Sequence, residues 1–136
     1  MRKAQAIVEM ALLIPVLLLL VLGIFDASRA CLLKANLNEV AREGVRKAAL
    51  LENIETDDSR VIDYCTQLLE EQGLMPEELT DLTILVELEQ STPIIGDAIT
   101  VRVSRRFRGI SGRIIPFFEP AIPIVGKSVM RYEAGS

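Results

Sequence analysis

The chain contains no histidine. The side chain that most often acts as a general base near neutral pH, and the commonest zinc ligand, is therefore missing. Only two cysteines occur, Cys31 and Cys65, and two cysteines 34 positions apart form no metal-ligand spacing. There is no phosphate-cradling glycine loop and no G-x-S-x-G elbow. The acidic pairs Asp57/Asp58, Glu70/Glu71 and Glu77/Glu78 lie in no D-x-D-x-D-G loop, and adjacent residues of a helix point to different faces. They read as solvated acids. These absences point away from an enzyme and toward a protein with no cofactor, no metal and no small-molecule substrate. Internal repeats and low-complexity tracts are absent as well.

One stretch also lacks charge. Met10 to Phe25 gives sixteen residues without an ionisable side chain, and the apolar character reaches back to Ala6 apart from Glu9. That makes about twenty residues, the length of a helix crossing a ~30 Å hydrocarbon core. Past Asp26 the sequence becomes an ordinary mixture. A chain of 136 residues, half of them hydrophobic and with a mean hydropathy of +0.33, thus divides into one span and one domain. The domain, of about 110 residues, is large enough for a modest core. Arg2 and Lys3 precede the span with no acid beside them, which by the positive-inside bias puts the N-terminus in the cytoplasm and the domain outside. Arg29 and Lys34, beyond the span, weaken that bias without reversing it. The expected location is the cytoplasmic membrane, crossed once.

The net charge of −4 is unevenly spread: residues 52–89 carry twelve acids against Arg60 alone, and residues 102–113 carry five arginines and no acid. Either the two segments pack near one another and partly neutralise, or one docks an oppositely charged partner. "RVSRRFR" has the look of a basic nucleic-acid stripe. Outside the cytoplasm no nucleic acid is expected, and the segment reads as the polar side of a strand.

Periodicity gives the elements. Small and apolar residues continue past Asp26 at Ala27, Ala30, Leu33, Leu37, Val40, Ala41, Gly44, Ala48 and Leu51, in steps of three and four. A continuous helix from about Gln5 to Leu51 would run roughly 70 Å, its first half apolar all round and its second half amphipathic: a stalk with a small head on its outer half. Thr56 or Asp57 can cap a second helix whose face is Val61, Ile62, Cys65, Leu68 and Leu69, with Gly73 at its end and Pro76 beyond. "PEELTDL" allows a further helical turn. Residues 82–90 alternate through Leu82, Ile84, Val86 and Leu88, and residues 98–107 through Ile99, Val101 and Val103, which predicts an antiparallel hairpin. A third strand is expected at 127–133. The fold class is α+β, with a long N-terminal transmembrane and stalk helix, a second helix and a small antiparallel sheet of about three strands.

Three features remain. Cys31 and Cys65 allow one disulfide or two separate buried or half-buried thiols. The segment 109–123 carries Ile114, Ile115, Phe117, Phe118 and Ile122 among prolines, either as a partner-docking surface or as a cap on the head's own core. Glu9 is an ionisable residue inside a membrane segment and needs a partner. A cut before Gln5 would create an amine four residues ahead of Glu9, and in a bundle of parallel helices one subunit's amine could neutralise its neighbour's carboxylate. The plainer reading is that Glu9 reaches the headgroups from near the end of the span. Pro15 removes one backbone donor and frees the carbonyl of Ala11, which loosens one turn.

"AQAIVEMALLIPVLLLLVLGIFDASR" resembles the N-terminal signature of the TadE-like family of Flp (Tad) pilus assembly proteins, which are pseudopilins or minor pilins related to type IVb and IVc pilins. The resemblance maps a leader onto Met1–Ala4, a mature start onto Gln5 and the fifth-position acid onto Glu9. Pro15, Gly23, Ile24, Asp26 and Arg29 fit the rest of the pattern. "VAREGVRKAA" (40–49) is similar to the stretch that follows. Ala4 stands where such leaders usually carry glycine, and Met10 where an aromatic is usual. The resemblance implies a pilin-like fold, cleavage between Ala4 and Gln5 by a prepilin peptidase, and assembly through Glu9 and Pro15 with other pilin-like subunits and Tad components in membrane lipid. The layout implied is 1–4 leader, 5–26 transmembrane helix and 27–136 extracytoplasmic head, with possible incorporation in a pilus. Two alternatives stand beside it. Residues 1–30 read as a Sec signal would give a secreted or lipid-anchored protein, though Arg29 beside the "SRA" site and Ser28 in the lipobox position are unfavourable. An unprocessed single-span membrane scaffold is the other.

Overall fold

The structure is a computed structural model and describes residues 2–51, 54, 58–74, 81–89, 95–110 and 121–133, with side chains from residue 5 onward. Within them lie two helices, α1 (Arg2–Ala49) and α2 (Asp58–Glu71), and three strands, β1 (Leu82–Leu88), β2 (Ala98–Phe107) and β3 (Ile122–Arg131). The class is α+β, with a three-stranded antiparallel sheet in the order β1-β2-β3. The chain forms two compact units: residues 1–31 with 107–122, and residues 32–106 with 123–136.

The second unit holds the core. Leu33, Leu37, Val40, Ala41, Val45, Ala48 and Ala49 of α1 are buried, together with Val61, Cys65 and Leu69 of α2 and Ile99, Val101 and Val103 of β2. The steps of three and four along α1 thus mark its packed face, as the sequence predicts. Val45 and Ala49 widen that face, Leu51 is only half-buried, and Ala27 is exposed instead of joining it. Gly44 permits a close approach: a Cβ there would lie 2.5 Å from Cys65 Sγ and 3.3 Å from Val101 Cγ1. The last turn of α1 tightens, with Leu50 N–H donating to Lys47 O and Leu51 N–H to Ala48 O. Arg46 and Lys47 complement the negative end of the helix dipole. Tyr132, itself buried, donates its hydroxyl to Leu51 O at 3.1 Å, just past the helix end.

Helix α2 buries Val61, Cys65 and Leu69 in one stripe, with Ile62 and Leu68 at its half-buried margins. Asp58 stands in the first turn; the capping candidates Thr56 and Asp57 lie outside the described residues. Gly73 has φ +87°, the left-handed conformation that glycine adopts without steric cost. Leu74 N–H donates to Leu69 O and Gly73 N–H to Glu70 O, the paired bonds of a Schellman end, and Leu74 is buried.

β1 and β2 pair antiparallel from Leu82↔Arg105 to Leu88↔Ile99. Ile84, Val86 and Leu88 lie opposite Val103, Val101 and Ile99 on the core side, while Thr83, Leu85 and Glu87 face out. Arg102 and Glu87 approach to 3.5 Å on the outer face, so the acidic and basic segments meet at this point. The third strand begins at Ile122, five residues before the expected start, and ends at Arg131. Pro123 falls within it, and β3 is an edge strand, where a missing donor is tolerated. Gly126 supplies a second reason for its placement. A Cβ there would fall on the carbonyl of Leu37 and 2.8 Å from Asn38 N, so strand backbone rests directly on helix backbone. Lys34 Nζ donates to Val125 O beside it. The turn before β2 is fastened to the end of β3: Gly96 N–H donates to Tyr132 O, and Tyr132 N–H to Asp97 O.

Candidate membrane and assembly site

The first half of α1 has a different surface. Residues 5–25 are exposed apart from the half-buried Leu22, and Ile7, Leu12, Leu17 and Val21 each leave more than half of their surface open. The helix is long and apolar enough to cross a membrane, and none of its most apolar stretch is buried within the protein. Each leucine or isoleucine left in water forgoes about 1.5–3 kcal/mol. Lipid or other helices are the surroundings that suit such a surface.

The predicted site residues fall along this helix as follows. Ala4 is helical. Gln5 and Glu9 are exposed one turn apart, and the Gln5 amide donates to Glu9 Oε1 at 3.4 Å. Pro15 sits inside α1, which continues through it. Cys31 is an exposed free thiol and Cys65 a buried one, so Cys31 is not the half-buried residue expected. Cys65 Sγ lies 4.0 Å from Val40 O, and burial pushes its thiol up to about 11. Ile114, Ile115, Phe117 and Phe118 lie outside the described residues.

Sequence reasoning missed a cluster just past the apolar stretch. Asp26, 8 % exposed, accepts the backbone N–H of Ile110 at 2.8 Å through Oδ1. The Arg29 guanidinium lies over the Phe107 ring, 5.9 Å from its centroid. Asp26 therefore ties the chain that follows β2 to α1, and a cation–π contact supports the join. A signal was available: Asp26 extends the series Ala30, Leu33, Leu37 by one step of four, on the face the helix turns inward. Among the described residues, no group of His, Cys, Asp or Glu is placed to hold a metal.

The stretch over α1 is similar to a known family. Residues 4–46 match the family model described as TadE-like protein. No curated protein and no solved structure matches the chain. The TadE-like segment contains the exposed apolar helix, Glu9, Pro15, Asp26 and the start of the packed face, and it ends before α2. That local similarity points toward Tad pilus assembly, and the apolar helix fits a single-pass membrane protein.

Proposed function

We propose that the chain is a minor pilin or pseudopilin of a Tad (Flp, type IVb/IVc) pilus and carries out no catalysis. The observation that supports this best is an exposed apolar helix bearing Glu9 five residues after Ala4, within the TadE-like match. The chain enters the cytoplasmic membrane with Arg2 and Lys3 inside, and a prepilin peptidase cuts between Ala4 and Gln5. The new amine of one subunit then meets Glu9 of its neighbour, which removes the cost of an unpaired carboxylate in a lipid-enclosed bundle. Pro15 leaves the carbonyl of Ala11 without its donor and loosens one turn where helices repack.

Mass spectrometry of the membrane-extracted protein tests the cut. Loss of Met1–Ala4 is expected, and an intact chain would overturn processing. Ala4 in place of the usual glycine favours a second reading, the unprocessed single-span scaffold, which predicts that intact mass. In a processed chain, Glu9→Leu should leave membrane insertion unchanged and abolish co-purification with other pilin-like subunits. Retained co-purification would sink the charge pairing.

A further inference from the structure

The cluster beyond the apolar stretch has a surface as well as an anchor. Arg29 and Arg108 are exposed, Phe107 is half-buried against Arg29, and Asp26 is buried on the Ile110 N–H. Two arginines against one aspartate leave the group with a formal charge of +1. Its depth follows from the helix. Asp26 is the first charge after sixteen uncharged residues, and Arg29 is about 4.5 Å farther along the axis. The headgroup layer on each side of the hydrocarbon is roughly 5–7 Å thick. Arg29 thus falls within that layer if residues 5–25 span the bilayer. The Asp26–Ile110 bond brings Arg108, two residues before Ile110, to the same end of the span.

We propose that Arg29 and Arg108, gathered about Phe107 by Asp26, form a basic collar that binds the anionic headgroups of the membrane α1 crosses. A guanidinium presents paired donors that match two oxygens of one phosphate. Phe107 offers an apolar ring at the depth where aromatic residues collect. Asp26 acts as a positioning residue: its carboxylate is turned inward, so it holds the segment without meeting the headgroups. The collar rests on the membrane-spanning reading of α1 but not on cleavage or on pilus membership.

The full chain reconstituted in phosphatidylcholine vesicles tests this, with spin-labelled phosphatidylglycerol or phosphatidylcholine as the probe. Electron paramagnetic resonance reads the fraction of each lipid immobilised at the protein. Preference for the anionic probe is expected at low salt, on the order of 5-fold for each arginine engaged, and should weaken as salt screens it. Arg29→Gln with Arg108→Gln should remove that part of the preference, and both residues are exposed, so the fold is retained. Asp26→Asn keeps an acceptor for Ile110 and should keep the preference, while Asp26→Leu should lower it. A chain that inserts yet shows the same preference with both arginines replaced would overturn the collar alone. A chain left in the aqueous fraction would overturn the span, and the collar with it.

Discussion

The two halves of α1 are one helix with opposite surfaces. Residues 10–25 are apolar on every side and, apart from the half-buried Leu22, exposed; from Leu33 to Ala49 one face is buried and the other carries Lys34, Glu39, Arg42, Arg46 and Lys47. Both halves are α-helical, with Pro15 the proline inside the first. What differs is the surroundings of the side chains: in the second half α2 and the sheet cover one face, and in the first half the apolar surface is left exposed. An apolar residue therefore contributes to folding in the second half, while in the first it lies on a surface that fits a membrane span. Point substitutions can separate these roles.

The largest effect is expected where strand meets helix backbone. Gly126→Val puts a branched side chain onto the Leu37 carbonyl, which belongs to a helix and cannot swing aside. We expect a loss of about 4 kcal/mol or more, measured as faster amide hydrogen exchange in β2 of the detergent-solubilised protein. The counterpart is Gly23→Ala, where a Cβ meets nothing within 4 Å. Exchange in β2 should not change. Equal tolerance of both substitutions would mean that β3 does not lie on α1 as described.

Leucine truncation comes next. Leu37 has no exposed surface and Leu17 is 58 % exposed. Leu37→Ala should destabilise the second unit by about 3 kcal/mol, transfer and cavity terms together. Leu17→Ala should leave that stability unchanged and act only on retention in the membrane. If Leu17→Ala lowered the urea midpoint of β2 exchange as far as Leu37→Ala, the contrast between the halves would be lost.

The elements were legible in the sequence because their signals are local. Steps of three and four gave α1 its length and packed face, alternation gave β1 and β2 within two residues, and Gly73 marked the end of α2. The start of β3 was missed because Pro123 reads as a breaker until the sheet order shows an edge strand. Gly126 carries no local signal, since only the tertiary contact with Leu37 gives it a role. Asp26 was read as a motif position and Ala27 as the inward residue, because a charge beside a membrane segment suggests solvent. Its partner is a backbone N–H 84 residues away, and no local pattern carries that. Glu9 and Pro15 were legible as anomalies, and the roles proposed for them involve neighbours that one chain does not contain.

The smallest effect contrasts the two cysteines. Cys31, exposed, should react with a maleimide in the folded protein, and Cys65, buried against Gly44, only on unfolding. Burial holds the Cys65 thiol near 11, against 9.0 for a free cysteine. Between those values an unfolded chain releases the proton while the folded one keeps it. Stability from this source is complete below pH 9 and falls as the pH rises toward 11. Cys65→Ala should flatten that alkaline slope at the cost of some packing, and Cys31→Ser should leave it unchanged. Labelling of Cys65 at the rate of Cys31 under native conditions would mean that α2 leaves α1 readily. The packed half would then be far less rigid than Gly44, Cys65 and Val101 in contact imply.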